Sequence, residues 1–281
     1  GPAERAGLIA GDKIVSVDDS IFVGKQITND AAMRKLKGSK DTKVKIGVIR
    51  NKEKEPRYFT VTRGDIPQKS IIAAYMLDKN TGYIKIKKFA ENTYTELLIA
   101  LARLSQDNFQ NLVIDLRGNV GGFLGSAVQI ANEFLSKDRL IVYTEGRKSP
   151  RQEFRSDGRG TYSHIPLVVL IDEGSASSSE ILAGAIQDND RGTIIGRRSF
   201  GKGLVQNIRP VAYGGHLKVT TSKYYLPSGR CIQAIDYAER QKGNQLHRDT
   251  AGGILPDVVL TDSQKLDICY NLYRDHMFFD Y

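Results

Sequence analysis

The sequence predicts an α/β fold in two parts, a small unit over residues 1–64 and a larger one over residues 65–281. Three observations carry this. Ile165–Ile171 is a short, almost wholly apolar run that reads as a strand buried on both faces, and Leu112–Leu116 reads as a second apolar strand. Each leads through a turn of small residues into apolar positions at helical spacing, the alternation of an α/β domain. Gly64-Asp65-Ile66-Pro67 punctuates the chain before them and marks a hinge.

Composition narrows the function. The chain has 281 residues, 40% of them apolar and 26% charged, as in ordinary globular proteins. There is no run of eighteen apolar residues to span a membrane, and no signal-peptide pattern. The net charge of +9 comes from Lys and Arg interspersed with Asp and Glu, without the density of a nucleic-acid arm. It reads as solvated surface with a bias toward anionic surfaces. Cys231 and Cys269 form neither a CxxC nor a metal-type spacing, and whether they pair is left open. His164, His216, His247 and His276 are scattered, which argues against a zinc site and against a Ser-His-Asp triad.

In the first unit, Gly7 and Gly11 supply turns before a strand from Ile14 to Asp18. Thr28 caps a helix running to Leu36, with Ala31, Ala32 and Leu36 inward and Gly38 as its stop. Val44–Arg50 alternates as a half-buried strand, Asn51–Pro56 is a polar turn, and Tyr58–Thr62 is a returning strand.

Beyond the hinge, Ile71–Met76 and Thr81–Ile86 read as strands, and Thr93–Leu104 as a helix with Leu97, Leu101 and Leu104 on one face. The strand at 112–116 enters Arg117-Gly118-Asn119-Val120-Gly121-Gly122 and then a helix from Ser126 to Leu135. This is not a nucleotide loop, since neither GxGxxG nor GK[ST] is present. Backbone donors aimed at a developing oxyanion fit it better. Thr193–Gly196 is a further strand, and Leu217–Tyr225 leads into a turn at Pro227–Arg230. Tyr237–Thr250 reads as an exposed loop, Gly253–Asp257 as extended, and Tyr270–Tyr281 as either helical or loosely packed.

Two stretches carry the chemistry. Ser175-Ala176-Ser177-Ser178-Ser179-Glu180 sits where the strand at 165–171 becomes a helix. Ser177-x-x-Glu180 fits a capping box, which is the structural reading. Strand ends in α/β sheets are also where reactive groups collect. Lys202 lies between glycines in Phe200-Gly201-Lys202-Gly203, with Gln206 four residues on. By itself Lys202 reads as a turn lysine.

Taken together, these stretches resemble known families. Pro2-Ala3-x-x-Ala6-Gly7-Leu8-x-x-Gly11-Asp12-x-Ile14 resembles the middle of a PDZ domain of the bacterial protease type. Only the later part of such a domain is covered; the carboxylate-binding loop would lie upstream of Gly1. The order of this unit, Asp115-Leu116-Arg117-Gly118-Asn119-x-Gly121-Gly122, Gly174-Ser175-Ala176-Ser177-x-Ser179-Glu180-Ile181 and Phe200-Gly201-Lys202-Gly203-x-Val205-Gln206 resembles the C-terminal processing, or tail-specific, proteases. That resemblance implies a crotonase-like core with Ser177 as nucleophile, Lys202 as general base and Gln206 orienting the lysine. It implies an oxyanion hole from Gly121, Gly122 and the N–H of Ser178. It implies protein substrates with free, apolar C-termini captured by the PDZ-like unit, a bacterial envelope or periplasmic setting, and no metal or organic cofactor. Homo-oligomerisation stays open. Ser178 departs from the alanine usual in the family. A non-catalytic binding protein or a PDZ scaffold on the same fold is the alternative, against which the joint presence of Ser177, Lys202 and Gln206 argues.

Residue chemistry adds two conditions. A serine hydroxyl needs an adjacent base. Lysine serves only when neutral, which calls for desolvation, here by walls from Phe200, Leu204 and Val205. Glu173 and Glu180 are therefore expected to point away. Ser175 and Ser179 keep a structural reading.

Overall fold

A computed structural model describes residues 1–18, 20–24, 27–51, 53–66, 68–235 and 252–260. The chain divides into two compact units, Gly1–Gln68 and Lys69–Tyr281, so the cut falls four residues beyond the expected one. The loop expected at Tyr237–Thr250, the segment Tyr270–Tyr281, Cys269, His247 and His276 lie outside the described residues.

The first unit runs α1 (Pro2–Arg5), β1 (Lys13–Val17), β2 (Ser20–Ile21), α2 (Asn29–Leu36), β3 (Lys43–Ile49) and β4 (Arg57–Thr62). Its strands form an antiparallel sheet in the order β2-β1-β3-β4. Alternation in β3 puts Val44, Ile46 and Val48 into a small core with Val17 and Val61. Thr28 caps α2 as expected, its hydroxyl accepting the N–H of Ala31 at 3.2 Å.

The second unit continues with β5 (Ile71–Met76), β6 (Thr81–Ile86), α3 (Thr93–Gln106), β7 (Asn111–Asp115), α4 (Leu124–Phe134), β8 (Leu140–Gly146) and β9 (Ser149–Arg155). It ends with β10 (Leu167–Ile171), α5 (Ser178–Asp188), β11 (Thr193–Gly196), β12 (Leu204–Pro210), β13 (His216–Tyr225) and β14 (Val258–Val259). A six-stranded sheet has the order β14-β11-β10-β7-β6-β5, parallel except for the antiparallel β5.

From β6 to β14 each new strand is added on the same side of the sheet. Right-handed crossovers then put α3, α4 and α5 on one face. The core lies between: Ile84, Ile86, Leu112, Ile114, Val169, Ile171 and Ile194 from the sheet pack with Leu97, Leu101, Ile130, Ile181 and Leu182 from the helices. A second, antiparallel sheet has the order β12-β13-β8-β9. Sequence reading did not anticipate β8 and β9. Ser149–Arg155 is mostly polar and charged, as suits an edge strand but not an apolar-run criterion.

Candidate active site

Strand β10 ends at Ile171 and α5 begins at Ser178, so six residues must reverse the chain above the carboxyl edge of the parallel sheet. Hydrogen bonds hold the reversal throughout. The Ser175 hydroxyl donates to the Leu116 carbonyl (2.9 Å) and the Ser179 hydroxyl to the Asn119 carbonyl (2.8 Å). The Ala176 N–H donates to that same Asn119 carbonyl at 3.0 Å. Ser175 and Ser179 therefore do have the structural role expected of them.

Ser177 sits at the apex with φ 57° and ψ −114°. For a residue with a Cβ such a conformation costs on the order of 1–3 kcal/mol and persists only where the surroundings over-determine it. Here its N–H donates to Glu180 Oε2 at 2.7 Å, and its carbonyl accepts from Glu180 and Ile181. The result is a sharp strand–turn–helix elbow with a half-buried, reachable serine.

The glycine turn after β7 lies against this elbow. At Gly121 (φ +93°) an added Cβ would come within 2.6 Å of the Ala176 carbonyl, and at Gly122 (φ +147°) it would collide with the Phe89 carbonyl. Only glycine meets both the conformation and the close approach. The Gly121 N–H donates to Asn119 Oδ1 at 2.9 Å. Among the described residues, the N–H groups of Gly122 and Ser178 have no acceptor. Of the three oxyanion donors implied by resemblance, Gly121 is thus already committed within the turn, and the other two are available. The Gly121 carbonyl accepts from Phe89 at 3.1 Å, which fixes the plane of the peptide bearing the Gly122 N–H. The Ser178 hydroxyl donates to the Gly122 carbonyl at 2.9 Å, so the departure from alanine adds a tie between helix and turn.

Glu180 is the residue that sequence reading placed wrongly. It does not point away but is fully buried, with its carboxylate facing the lysine loop. Oε1 accepts from the Ser199 hydroxyl (2.5 Å) and the Gly201 N–H (2.7 Å). Oε2 accepts from the N–H groups of Ser177 (2.7 Å) and Lys202 (2.9 Å). Burial pushes the Glu180 carboxyl up, and these four donors pull against that shift. The charge is spent on backbone N–H groups, which is why it can lie beside the loop. Its capping-box spacing was the available signal; what it would hold was not visible, because Ser199–Lys202 arrives from nineteen or more residues away. Glu173 behaves as expected and pairs outward with Arg197 at 2.6 Å.

The lysine side differs from expectation. Lys202 and Gln206 are both exposed, and neither side chain makes a polar contact with another described residue. Leu204 and Val205 are only half-buried and Phe200 is exposed, so the anticipated dry pocket is not closed in this structure. The reason is topological: β12, which begins at Leu204, lies at the edge of its sheet among the described residues. A neighbouring feature missed by sequence reading is Asp115 at the end of β7. It is fully buried and bonded to Tyr83 (2.6 Å), Lys85 (3.0 Å) and Arg117 (2.7 Å). Burial alone would raise its carboxyl, but Arg117, Tyr83 and Lys85 outweigh burial and hold it below the ordinary range. Among the described residues no group of three or more His, Cys, Asp or Glu could hold a metal ion.

Residues 80–260 match the model of peptidase family S41. The chain belongs to that family. As an S41 member it is 38% identical over 238 residues to a carboxyl-terminal-processing protease of Synechocystis, covering 83% of this chain and 55% of the relative. It is 37% identical over 268 residues to a carboxy-terminal-processing protease of Bartonella bacilliformis, covering 92% and 56%. The chain thus spans about half the length of these relatives. It also resembles the solved photosystem II D1 C-terminal processing protease, at 30% identity and a TM-score of 0.57, over 92% of this chain and 65% of that one. A putative S41 protease from Bacteroides fragilis superposes at a TM-score of 0.59 over 93% and 68% of the two chains; at 16% identity it bears on the fold alone. The S41 chain thus has the α/β fold of this protease family.

Proposed function

We propose that this S41 protein is a serine endopeptidase in which Ser177 is the nucleophile and Lys202 the general base. The observation that carries the reading is the shared acceptor: one buried carboxylate oxygen, Glu180 Oε2, takes the N–H of both residues. Segments twenty-five residues apart are drawn to one atom, which a capping role for Ser177 alone does not require. Lys202 Nζ removes the proton from Ser177 Oγ as the oxygen attacks the substrate carbonyl carbon. The negative charge that develops is met by the N–H groups of Gly122 and Ser178, with the positive end of α5 behind them. Lys202 then gives the proton to the departing amine, and water releases the acyl group from Ser177 by the same steps in reverse. Gln206 orients the lysine once substrate covers it.

The substrates are protein chains. Unit Gly1–Gln68 is read as the later part of a PDZ domain that presents C-terminal ends with apolar side chains, in a bacterial envelope. No described helix is long and apolar enough to cross a membrane. The test is cleavage of an unstructured peptide with an apolar C-terminus. Ser177→Ala and Lys202→Ala should each abolish it with the fold unchanged by circular dichroism, and a chelator should have no effect. Full activity in Lys202→Ala would sink the dyad.

A further inference from the structure

We propose that the outer edge of β12 is the docking strand for the substrate main chain, which adds to the second sheet as a further strand and so delivers its scissile bond to Ser177. This rests on the reading of Ser177 and Lys202 as the catalytic pair. Three observations lead to it.

The first is which backbone groups β12 leaves open. Its only strand partner among the described residues is β13. The Tyr224 N–H donates to the Gly203 carbonyl, and the Val211 N–H to the Gly215 carbonyl, so odd-numbered residues of β12 face β13. In an antiparallel ladder the alternate residues turn their N–H and C=O the other way. The irregularity between Val205 and Gln206 leaves the extra residue, Thr221, on β13 and does not interrupt this alternation on β12. Leu204, Gln206 and Ile208 therefore present their main-chain groups outward, and no described residue pairs with them.

The second is how differently the two edges of this sheet are protected. Strand β9, the opposite edge, carries Pro150, Arg151, Glu153 and Arg155, the charges and proline that keep an edge from pairing. On β12 a charge and a proline occur only at the far end, Arg209 and Pro210. The stretch Leu204–Ile208 has neither, although Ile208 is 65% exposed. An edge left pairable along one stretch only is suited to an extended peptide.

The third is continuity with the reacting groups. Leu204 is two residues from Lys202, whose N–H shares Glu180 Oε2 with Ser177. A peptide strand on Leu204–Ile208 runs directly to that point, and its side chains cover the exposed lysine. Exclusion of water from Lys202 then comes with substrate, which supplies the desolvation that a neutral lysine needs. Recognition through main-chain groups is indifferent to most side chains, so this edge would hold many sequences in one register.

The test is binding of a fluorescent ten-residue unstructured peptide to the full chain carrying Ser177→Ala, followed by anisotropy. Ile208→Pro removes one outward N–H without touching the ladder to β13, and should weaken binding about tenfold. A parallel series keeps the protein unchanged and replaces single peptide N–H groups by ester oxygens. Loss of affinity should alternate with a period of two along the bound segment. No binding, binding indifferent to Ile208→Pro in a folded variant, or ester effects without alternation each overturn the proposal; should the proline variant misfold, the ester series decides. Hydrolysis by the unsubstituted protein is scored separately. Peptide that is cleaved without an edge effect refutes the docking strand and leaves the protease reading intact, whereas an edge effect without cleavage does the reverse.

Discussion

The Ser177 elbow and the Lys202 loop hang from the same carboxylate, yet they are built in opposite ways. The elbow is tied throughout: Ala176, Ser177 and Ser179 are bonded to β7's turn or to Glu180, and among the described residues the N–H groups of Gly122 and Ser178 are left without an acceptor. The lysine loop is held through its backbone and the Ser199 hydroxyl: Ser199, Gly201 and Lys202 bond to Glu180, the Ser199 hydroxyl accepts from Ile254 at 2.6 Å and the Gly203 N–H donates to Gln233 Oε1 at 2.8 Å. The side chains of Lys202 and Gln206, by contrast, are exposed. Stabilising an oxyanion requires donors that are aimed before the reaction begins. A lysine base requires only that water be removed at the moment of use, and substrate can do that.

The largest effects should separate the two halves. Ser177→Ala should lower kcat by about 10,000-fold or more, with no recovery on adding small molecules. Lys202→Ala should lose a comparable factor, but because its side chain is exposed a small primary amine in excess should restore roughly tenfold. Steady-state cleavage with and without the amine checks both; equal rescue, or none in either, would break the contrast.

Glu180→Gln should affect both halves at once. The amide has one acceptor oxygen where four donors converge, and its NH2 faces N–H groups. A fall in kcat of about 100-fold and a loss of about 2 kcal/mol in a urea melt are expected. The same carboxylate should set an acid limb on kcat: burial raises its carboxyl, and as it gains a proton with falling pH the four donors lose their ionised acceptor. A kcat profile that is identical in the wild-type protein and Glu180→Gln at low pH would remove it from this role.

Asp115→Asn, at the carboxyl end of the inner strand β7, should weaken the fold rather than the chemistry, by about 2 kcal/mol because Lys85 and Arg117 can still reach solvent. Its folded carboxyl lies below the unfolded value of about 3.9. Its stabilisation is therefore present above about pH 4 and lost as pH drops through the lower, folded value. Melting temperatures from pH 5 down to about 2 should fall more steeply for the wild-type protein than for the variant. The smallest effect belongs to Ser178→Ala, which removes the hydroxyl tie to the Gly122 carbonyl and keeps the N–H. A decrease in kcat of roughly threefold with KM unchanged is expected; a change in KM alone would show that the tie shapes binding instead.

Most of what was legible in the sequence was local. Ile71–Met76, Thr81–Ile86 and Thr193–Gly196 were read with the bounds they have, because apolar periodicity and flanking turns fix short strands without reference to partners. The Thr28 cap and the glycine turn were legible for the same reason. Strand β9 was not, since an edge strand such as Ser149–Arg155 needs few apolar residues and its pattern matches a loop; β8 carries the apolar run Leu140–Tyr143, a signal that was present and not used. Asn119 stands in the Asp115–Gly122 motif with no role visible from its sequence neighbours; its part in holding both turns emerges only from the side chain's bonds to Gly121 and Ile86 and the carbonyl's bonds to Ala176 and Ser179.

The serine cluster, the Phe200–Gly203 stretch and the family were determined by the amino-acid sequence by itself, because they depend on residue types at fixed spacing. The direction of Glu180, the commitment of the Gly121 N–H and the exposure of Lys202 were decided only by the tertiary structure. Each of these depends on which distant backbone reaches a buried polar group first, and on whether a strand ends up at the centre of a sheet or at its edge. Long-range packing settles those matters, and no local pattern encodes them.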